Sequence, residues 1–140
     1  MLTGIGLKLS VLIAEDDEIN QKVMLLMLKK LGHHADVVAN GIEVLQALER
    51  HYDVVLMDIG MPEMDGLQAT KYIRHHWPAR EQPRIIAVTA YGRSNVREIC
   101  LDAGMDDFIS KPVQIEELKS ALQFVKRETP QDCQKCSVKS

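Results

Sequence analysis

Several features that would assign this sequence to a special class are scarce or missing. The sequence has three cysteines, two of them near the C-terminus. An odd number does not match a disulfide framework and is consistent with a reducing compartment. No apolar run approaches the roughly 18 residues of a membrane span, and the N-terminus lacks the charged and then apolar order of a signal peptide. Seventeen basic and twenty acidic residues give a net charge of −3, which does not favour a nucleic-acid surface. These absences predict a soluble, cytoplasmic protein that contacts neither nucleic acid nor membrane directly.

What is present is an ordinary globular composition. The 140 residues correspond to one domain on a prior of about 150 residues per domain, and 46% of them are hydrophobic. Residues 1–7 contain two glycines without a clear period and are interpreted as a linker or a cloning remnant. From residue 128 large apolar side chains nearly vanish, which predicts a flexible tail over 128–140 and one folded unit over 8–127. Within that tail, Cys133 and Cys136 form an isolated C-x-x-C that is interpreted as incidental, since no second pair accompanies it.

Short apolar runs alternate with helix-length segments between these ends. The runs predict strands over residues 9–14, 35–39, 54–57, 85–88 and 108–109. The segments between and after them predict helices over residues 18–31, 41–50, 66–77, 94–103 and 114–126. The first, third and fourth strands are nearly continuous in apolar residues, as strands covered on both faces are. This alternation predicts an α/β fold with a five-stranded parallel sheet, doubly wound and flavodoxin-like, with strand order 2-1-3-4-5 and helices on both faces.

Polar residues follow four of these strands. Strand 1 leads into Glu15-Asp16-Asp17-Glu18, strand 3 into Asp58, strand 4 into Thr89, and strand 5 into Lys111. Ligands of doubly wound sheets bind beyond the carboxyl ends of the strands, so we expect these residues to converge. Asp17 and Glu18 are interpreted as acids that open a helix, where negative charge favours the helix dipole, and are excluded from the site.

Crowded carboxylates need a neutralising cation. Carboxylate oxygens without Cys or His nearby select Mg²⁺ or Ca²⁺ over zinc, and a compact site with room for a phosphoryl group favours Mg²⁺. Lys111 adds a fixed positive charge and Thr89 a hydroxyl donor, so the set suits a transferring phosphoryl group. Asp58 stands alone at the end of an apolar strand and is the candidate nucleophile for an aspartyl phosphate. Because no glycine-rich phosphate loop follows strand 1, we expect a partner protein rather than a nucleotide to donate the phosphoryl group.

Four sequence elements together resemble one family, the receiver (response-regulator) domains of two-component phosphorelays. They are Glu15-Asp16, the string Met57-Asp58-Ile59-Gly60-Met61-Pro62-Glu63-Met64-Asp65-Gly66, Thr89-Ala90 and Lys111-Pro112. The long string is the most specific of them, and the resemblance covers the chain from about residue 8 to residue 126. The segments 17–20 and 89–90 resemble more narrowly the receivers attached to hybrid histidine kinases. The resemblance implies the same flavodoxin-like fold.

The resemblance also implies roles for the matching residues. Asp58 would accept the phosphoryl group, with Thr89 and Lys111 holding the phosphoryl oxygens. Asp16, Asp58 and the backbone carbonyl of Gly60 would bind Mg²⁺ directly, and Glu15 would reach it directly or through water. Thr89 would be coupled to Phe108, so that phosphorylation changes the face formed by helix 4, strand 5 and helix 5. The domain would catalyse its own phosphorylation from a phosphohistidine and its own dephosphorylation, without turning over outside substrates.

The implied partners are a histidine kinase, a histidine phosphotransfer protein or both, and the helix 4–strand 5–helix 5 face is a candidate homodimer surface. The chain could be one domain of a longer hybrid kinase or a stand-alone relay protein, and both arrangements stay open. A rival interpretation is a receiver-like interaction module that is never phosphorylated, although the intact site residues weigh against it. A second rival is a phosphatase with an aspartyl intermediate. Such enzymes often carry a carboxylate two residues after the nucleophile, where this chain has Gly60.

A few positions depart from the family pattern or lie outside the site. Glu15 stands where Asp is more usual, and Tyr91 is bulky where it would screen the phosphoryl group from water, so Tyr91→Ala is predicted to shorten the phosphoryl lifetime. The pairs His33-His34 and His75-His76 are predicted to be exposed. Cys100 is predicted to lie in the core and Trp77 to be partly buried.

Overall fold

Five parallel strands form a sheet in the order β2-β1-β3-β4-β5. The structure is a computed structural model that describes residues 8–61, 63–89 and 96–123. The strands are β1 (Ser10–Ala14), β2 (His34–Val38), β3 (Val54–Asp58), β4 (Arg84–Thr89) and β5 (Asp107–Ser110). The helices are α1 (Glu18–Lys30), α2 (Gly41–Ala47), α3 (Gly66–His76), α4 (Val96–Ala103) and α5 (Ile115–Leu122), with a short 3-10 helix at Ala79–Glu81. The predicted α/β architecture and strand order are confirmed.

Helices cover both faces of the sheet, and each face has its own hydrophobic core. Val44 of α2, Ile73 of α3 and Cys100 of α4 belong to one cluster of buried residues. Leu28 of α1 and Leu118 of α5 belong to the other, on the opposite face. Successive residues of the central strands join these clusters alternately, because side chains along a strand point to opposite faces. Burial on both faces explains the nearly continuous apolar runs that predicted these strands.

Local capping sets the helix ends. The Asp17 side chain accepts a hydrogen bond from the Ile19 backbone N–H at the start of α1, which agrees with its interpretation as a helix-opening acid. Asp65 and Gln68 form a capping box at the start of α3. The α2 helix ends at Ala47, earlier than the predicted residue 50. Beyond it the backbone makes i to i−3 bonds, as from the Arg50 N–H to the Ala47 carbonyl at 3.0 Å, so residues 48–50 form turns rather than α-helix.

Four predictions made outside the site can be compared with the structure. Cys100 is buried and Trp77 partly buried, as predicted. His34, His75 and His76 are exposed, also as predicted. The prediction for His33 is wrong, because this side chain is partly buried and its Nδ1 accepts a hydrogen bond from the Leu9 backbone N–H at 3.1 Å. The imidazole supplies an acceptor to a backbone group just before β1, where no neighbouring strand supplies one.

Other predictions fall outside the described residues. They concern residues 1–7, the start of the fourth helix at Ser94, the end of the fifth helix at Lys126, and the tail with Cys133 and Cys136. The division into a linker, a folded unit over 8–127 and a tail therefore stays a prediction. None of the helices in the described ranges combines the length and apolar character that crossing a bilayer requires.

One guanidinium joins three parts of the fold. Arg74 on α3 donates from Nε to the Gly104 carbonyl at 2.7 Å and from Nη1 to Gln82 Oε1 at 2.7 Å. Its Nη2 lies 2.8 Å from Oδ2 of Asp106, which follows α4 in the chain. Gly104 has a φ of 103°, and a Cβ there would lie 2.7 Å from Arg74 Cγ. The carboxyl end of α4 is therefore attached to α3 and to the segment that precedes β4.

Candidate phosphoryl and metal site

The residues predicted from the strand ends lie around one pocket. It has a volume of about 280 Å³ and is lined by Glu15, Asp16, Asp17, Asn20, Asp58, Ile59, Gly60, Thr89 and Lys111. One carboxylate oxygen each from Glu15, Asp16 and Asp58 lies within 4.8 Å of the others. The topology brings them together because β1 and β3 are adjacent parallel strands that end at the same edge.

Glu15 is held more firmly than a typical surface acid. Its relative exposure is 1%, and its backbone N–H donates to the Val38 carbonyl at 3.0 Å. Its side chain accepts from the Asp17 N–H at 3.1 Å through Oε2 and lies 3.0 Å from Lys111 Nζ through Oε1. Burial raises the pKa of Glu15, and the contacts with Lys111 and Asp17 only partly oppose that rise. The Glu15 side chain, which is longer than the more usual aspartate, therefore points into the pocket and is held there by these contacts.

Asp58 is the last residue of β3 and has a relative exposure of 7%. Its Oδ1 accepts a hydrogen bond from the Gly60 N–H at 3.2 Å, and its Oδ2 lies 3.3 Å from Lys111 Nζ. Burial alone would lower the pKa of Lys111, but the hydrogen bond with Glu15 and the charges of Asp58 and Glu15 outweigh it, so this pKa lies above its ordinary value. Lys111 is thus a permanent cation between two carboxylates.

The other predicted site residues occupy three different settings. Asp16 is exposed, and no group in the described part of the chain donates a hydrogen bond to its carboxylate. Thr89 is buried at the end of β4, and its carbonyl accepts from the Lys111 N–H at 2.7 Å. Phe108 is partly buried and lines a shallow groove between β5 and α5 with residues such as Ser120. Tyr91 lies outside the described residues, so its screening role stays a prediction.

The loop after Asp58 is fixed by close backbone packing. A Cβ on Gly66 would lie 2.4 Å from the Asp58 carbonyl oxygen, and a Cβ on Gly41 would lie 2.6 Å from the Met64 carbonyl oxygen. The N–H groups of both glycines donate into the loop, Gly66 to Ile59 at 3.1 Å and Gly41 to Met64 at 2.9 Å. These approaches leave no room for a side chain. On the opposite side of the pocket, the peptide bond between Lys111 and Pro112 is cis.

The exclusion of Asp17 from the site was wrong, because Asp17 lines the pocket and donates its backbone N–H to Glu15 Oε2. Two further residues at the site, Asn20 and Gln21, were not predicted. Asn20 lines the pocket from α1, and Gln21 donates a hydrogen bond from its Nε2 to the Glu15 carbonyl at 2.5 Å. Neither belongs to a sequence pattern that marks such a contact. Their positions depend on how the first turn of α1 is rotated relative to the end of β1.

The donor set fits a hard divalent cation. When ionised, three carboxylates and one lysine leave two negative charges in a small pocket, which a divalent ion can neutralise. All candidate ligands are oxygen atoms, and one side of the pocket is open to solvent through Asp16. Oxygen ligands together with space for water are what Mg²⁺ and Ca²⁺ require. The donor set and the open side of the pocket therefore suit a divalent metal ion.

Comparison with known proteins decides the family. The sequence model described as the response regulator receiver domain matches residues 11–123. The chain belongs to the response regulator receiver domain family. It functions as a receiver domain of phosphorelay systems, as the resemblance of its motifs implied. The receiver fold of its structural relatives is the same five-stranded arrangement.

Curated relatives of this receiver domain include histidine kinases. It is 48% identical over 122 residues to hybrid signal transduction histidine kinase K of Dictyostelium discoideum, covering 81% of this chain and 10% of that protein. It is 40% identical over 147 residues to probable histidine kinase 1 of Oryza sativa subsp. indica, covering 83% of this chain and 15% of that protein. The chain thus spans a small part of the relatives it matches.

Solved structures of receiver domains are similar throughout the fold. One is the receiver domain of the sensor histidine kinase PA1611 of Pseudomonas aeruginosa, with a magnesium ion coordinated in its active-site cleft. It is 40% identical with a TM-score of 0.75, and the match covers 84% of this chain and 96% of that one. Another is the receiver domain of Saccharomyces cerevisiae Ssk1 in complex with the phosphotransfer protein Ypd1, 28% identical with a TM-score of 0.76. That match covers 83% of this chain and 87% of that one.

Proposed function

We propose that this receiver domain takes a phosphoryl group from a phosphohistidine onto Asp58 in a reaction that depends on Mg²⁺. One observation carries the proposal: Asp58 lies within reach of two other carboxylates and of Lys111 at the rim of a solvent-accessible pocket. An isolated surface aspartate has no such surroundings. The folded unit that we assign to this reaction spans residues 8–127, and its proposed location is the cytoplasm.

The proposed transfer forms one bond and breaks one. A carboxylate oxygen of Asp58 attacks the phosphorus, the P–N bond to the donor histidine breaks, and the released imidazole keeps the electron pair and takes up a proton. Lys111 stands 3.3 Å from Asp58 and can follow the new negative charge onto the phosphoryl oxygens. The Thr89 hydroxyl, at the end of the adjacent strand, would donate to another of these oxygens. In dephosphorylation, water would attack the phosphorus, the bond between phosphorus and the Asp58 oxygen would break, and the free carboxylate and inorganic phosphate would result.

The proposed metal ligands are the carboxylates of Glu15, Asp16 and Asp58 together with the backbone carbonyl of Gly60. Mg²⁺ bound by them would offset the charge of the phosphoryl oxygens as they approach the carboxylates. The short contacts of Glu15 hold one ligand in place, and the Gly60 N–H and the Lys111 ammonium orient the two oxygens of Asp58. The magnesium ion of the Pseudomonas relative supports this choice of cation.

The proposed switch links the site to the face formed by α4, β5 and α5. Thr89 and Phe108 lie on neighbouring strands, since Thr89 pairs with Ser110 and Phe108 with Ala87. Movement of Thr89 toward a phosphoryl group would free space for the Phe108 ring to turn inward. The groove beside Phe108 would then change shape, and this face is also the proposed homodimer surface.

The proposed partner is a histidine kinase or a histidine phosphotransfer protein, and the surface beside the pocket fits such a partner. Ile19, Val23 and Leu26 are exposed apolar residues on α1, spaced so that they share one helix face. They begin next to Asn20 of the pocket, where a partner bringing a histidine to Asp58 must dock. The Ssk1 receiver in its complex with Ypd1 supports a phosphotransfer protein as partner.

Phosphorylation tests the acceptor assignment directly. Acetyl phosphate with Mg²⁺ should add one phosphoryl mass to the wild type by intact-protein mass spectrometry and none after chelation of the metal. Asp58→Asn should abolish the mass shift, whereas the matched control Asp102→Asn, which changes an exposed aspartate of α4, should retain it. A mass shift that persists in Asp58→Asn would move the acceptor elsewhere. No shift in wild type would favour an interaction module without phosphorylation.

Transfer from a protein donor tests the docking surface. Leu26→Glu places a charge on the exposed apolar face of α1 and should slow phosphorylation by a phosphorylated phosphotransfer protein at least tenfold, because a buried charge lacks a partner. Phosphorylation by acetyl phosphate should be unchanged, since that small donor needs no docking. Leu101→Glu on α4, on the opposite face of the sheet, is the control. Equal rates for both variants would exclude α1 as the docking surface.

A further inference from the structure

The side chain of Gln21 reaches back from α1 to the peptide that joins two of the proposed metal ligands. Its Nε2 donates to the Glu15 carbonyl at 2.5 Å. That carbonyl belongs to the same planar peptide as the Asp16 N–H, so fixing one fixes the orientation of the other. The direction in which Asp16 leaves the backbone therefore depends on a residue that does not face the pocket.

Asp16 needs such support more than the other acids do. Glu15 is restrained by Val38, Asp17 and Lys111, and the Asp58 carboxylate by Gly60 and Lys111. The Asp16 carboxylate receives no hydrogen bond within residues 8–61, 63–89 and 96–123, and it is exposed. Only its backbone can hold it in place.

The backbone on both sides of Asp16 is attached to α1. On the N-terminal side Gln21 holds the Glu15 carbonyl. On the C-terminal side Asp17 caps the helix, accepting from the Ile19 N–H through its side chain and from the Gln21 N–H through its carbonyl at 2.9 Å. Asp16 is thus a single residue between two fixed points. Its remaining freedom is the rotation of its own side chain.

We propose that Gln21 is a positioning residue for the metal site, which pre-orients Asp16 so that its carboxylate and those of Glu15 and Asp58 can bind one divalent cation together. This inference rests on the proposed function, because it presumes that these acids bind the cation. Pre-orientation lowers the entropic cost of binding, so loss of the Gln21 hydrogen bond weakens affinity without removing a ligand. The neutral amide also achieves this without adding a charge that would compete with the cation.

Mg²⁺ titration of the whole chain, followed by NMR chemical shifts, tests the proposal. Gln21→Met keeps the approximate length of the side chain but has no N–H donor, and it should weaken Mg²⁺ binding about three- to tenfold, the effect of one hydrogen bond. Gln46→Met changes an exposed glutamine of α2 and is the matched control with unchanged affinity. Urea unfolding without cation checks that Gln21→Met is folded. Unchanged affinity in folded Gln21→Met overturns the proposal.

A double-mutant cycle separates positioning from a general structural effect. If Gln21 acts through Asp16, then Gln21→Met should cost nothing further in an Asp16→Ala background, where there is no carboxylate to orient. Equal losses of affinity in both backgrounds would overturn the positioning role. The Asp16→Ala variant also tests the proposed site itself. If Asp16→Ala alone binds Mg²⁺ as tightly as wild type, the metal site fails, which is distinguishable from a failure of Gln21 alone.

Discussion

Lys111 keeps two carboxylates together that would otherwise repel one another. Its ammonium lies 3.0 Å from Glu15 and 3.3 Å from Asp58, and the Glu15 side chain is only 2% exposed. Removal of one partner from a buried ion pair is costly, because the remaining charge stays desolvated. Lys111 therefore has a structural function before any phosphoryl group arrives.

Replacement of Lys111 by methionine should lower the free energy of unfolding by about 2 kcal/mol in the absence of divalent cations. Mg²⁺ should stabilise this variant more than it stabilises wild type, because the cation then replaces the lost positive charge. Urea unfolding followed by circular dichroism, with and without Mg²⁺, measures both effects. Lys119→Met on the exposed face of α5 is the control. An equal Mg²⁺ effect in Lys111→Met and wild type would contradict the explanation.

The sequence predicted some residues of the site and missed others. Glu15, Asp58, Thr89 and Lys111 were found because they lie at or just after the ends of predicted strands, and topology alone brings strand ends together. Gln21 was missed because its contact depends on the rotation of α1 about its own axis, which hydrophobic periodicity does not define to within one side chain. The roles of the site residues, including the switch at Thr89 and Phe108, stay predictions.

The end of β3 and the start of α3 are packed closely, backbone against backbone. Gly66 opens α3 while its Cα faces the carbonyl of Asp58, the last residue of β3. The position of Asp58 thus depends on a helix as well as on a strand. This contact explains why the long sequence motif that begins at Met57 ends in a glycine, Gly66.

An alanine at residue 66 should therefore destabilise the fold. Its Cβ would lie 2.4 Å from the Asp58 carbonyl oxygen, which is backbone and cannot move cheaply. We expect a net loss of about 1–3 kcal/mol, even though alanine favours helices over glycine by about 1 kcal/mol. Gly60→Ala is the matched control, because a Cβ there meets nothing within 4 Å. The midpoints of urea unfolding are compared for the two variants. Equal stability would show that the backbone between β3 and α3 shifts to accept the Cβ without cost.

Element boundaries were predicted less well than element order. The central strands were recognised because burial on both faces requires apolar, β-branched runs. Their order was predicted because 2-1-3-4-5 is a common order for a five-stranded doubly wound sheet of this length. The α2 helix ends early because the backbone after Ala47 changes to i to i−3 bonding, which its sequence does not signal. β2 and β5, at the two edges of the sheet, gave the weakest signals because one side of each is unpaired.

The edge of the sheet opposite the site carries its own titratable groups. His33 Nδ1 accepts from the Leu9 N–H, and the Asp53 carboxylate accepts from the Ser10 N–H at 2.8 Å while it pairs with His51 at 3.1 Å. Burial lowers the pKa of His33, and the charge of Asp53 opposes this only in part. The start of β1 is thus held by a neutral imidazole and a buried carboxylate.

The contribution of His33 to the free energy of unfolding should therefore fall as the solution becomes acidic. The unfolded chain protonates His33 near its ordinary pKa of about 6.5, whereas the folded chain binds that proton only at lower pH. The stabilisation that His33 provides is fully present above about pH 6.5, the pKa of the unfolded state. It decreases as the pH falls from there to the lower pKa of the folded state. His33→Asn retains an acceptor but does not titrate, so its unfolding free energy should decline less over this window. His75→Asn, at an exposed site, should match the decline of wild type, and identical slopes for all three proteins would refute the assignment.

The Arg74 contacts determine how α4 can move. Its carboxyl end is attached at Gly104 and Asp106 to α3 and to the chain ahead of β4, so that end is a pivot. Displacements along a rigid rod grow with distance from its pivot, and the far end of α4 is the end that follows Thr89 in the chain. A shift at the end of β4 would therefore turn α4 about its attached carboxyl end rather than slide the whole helix.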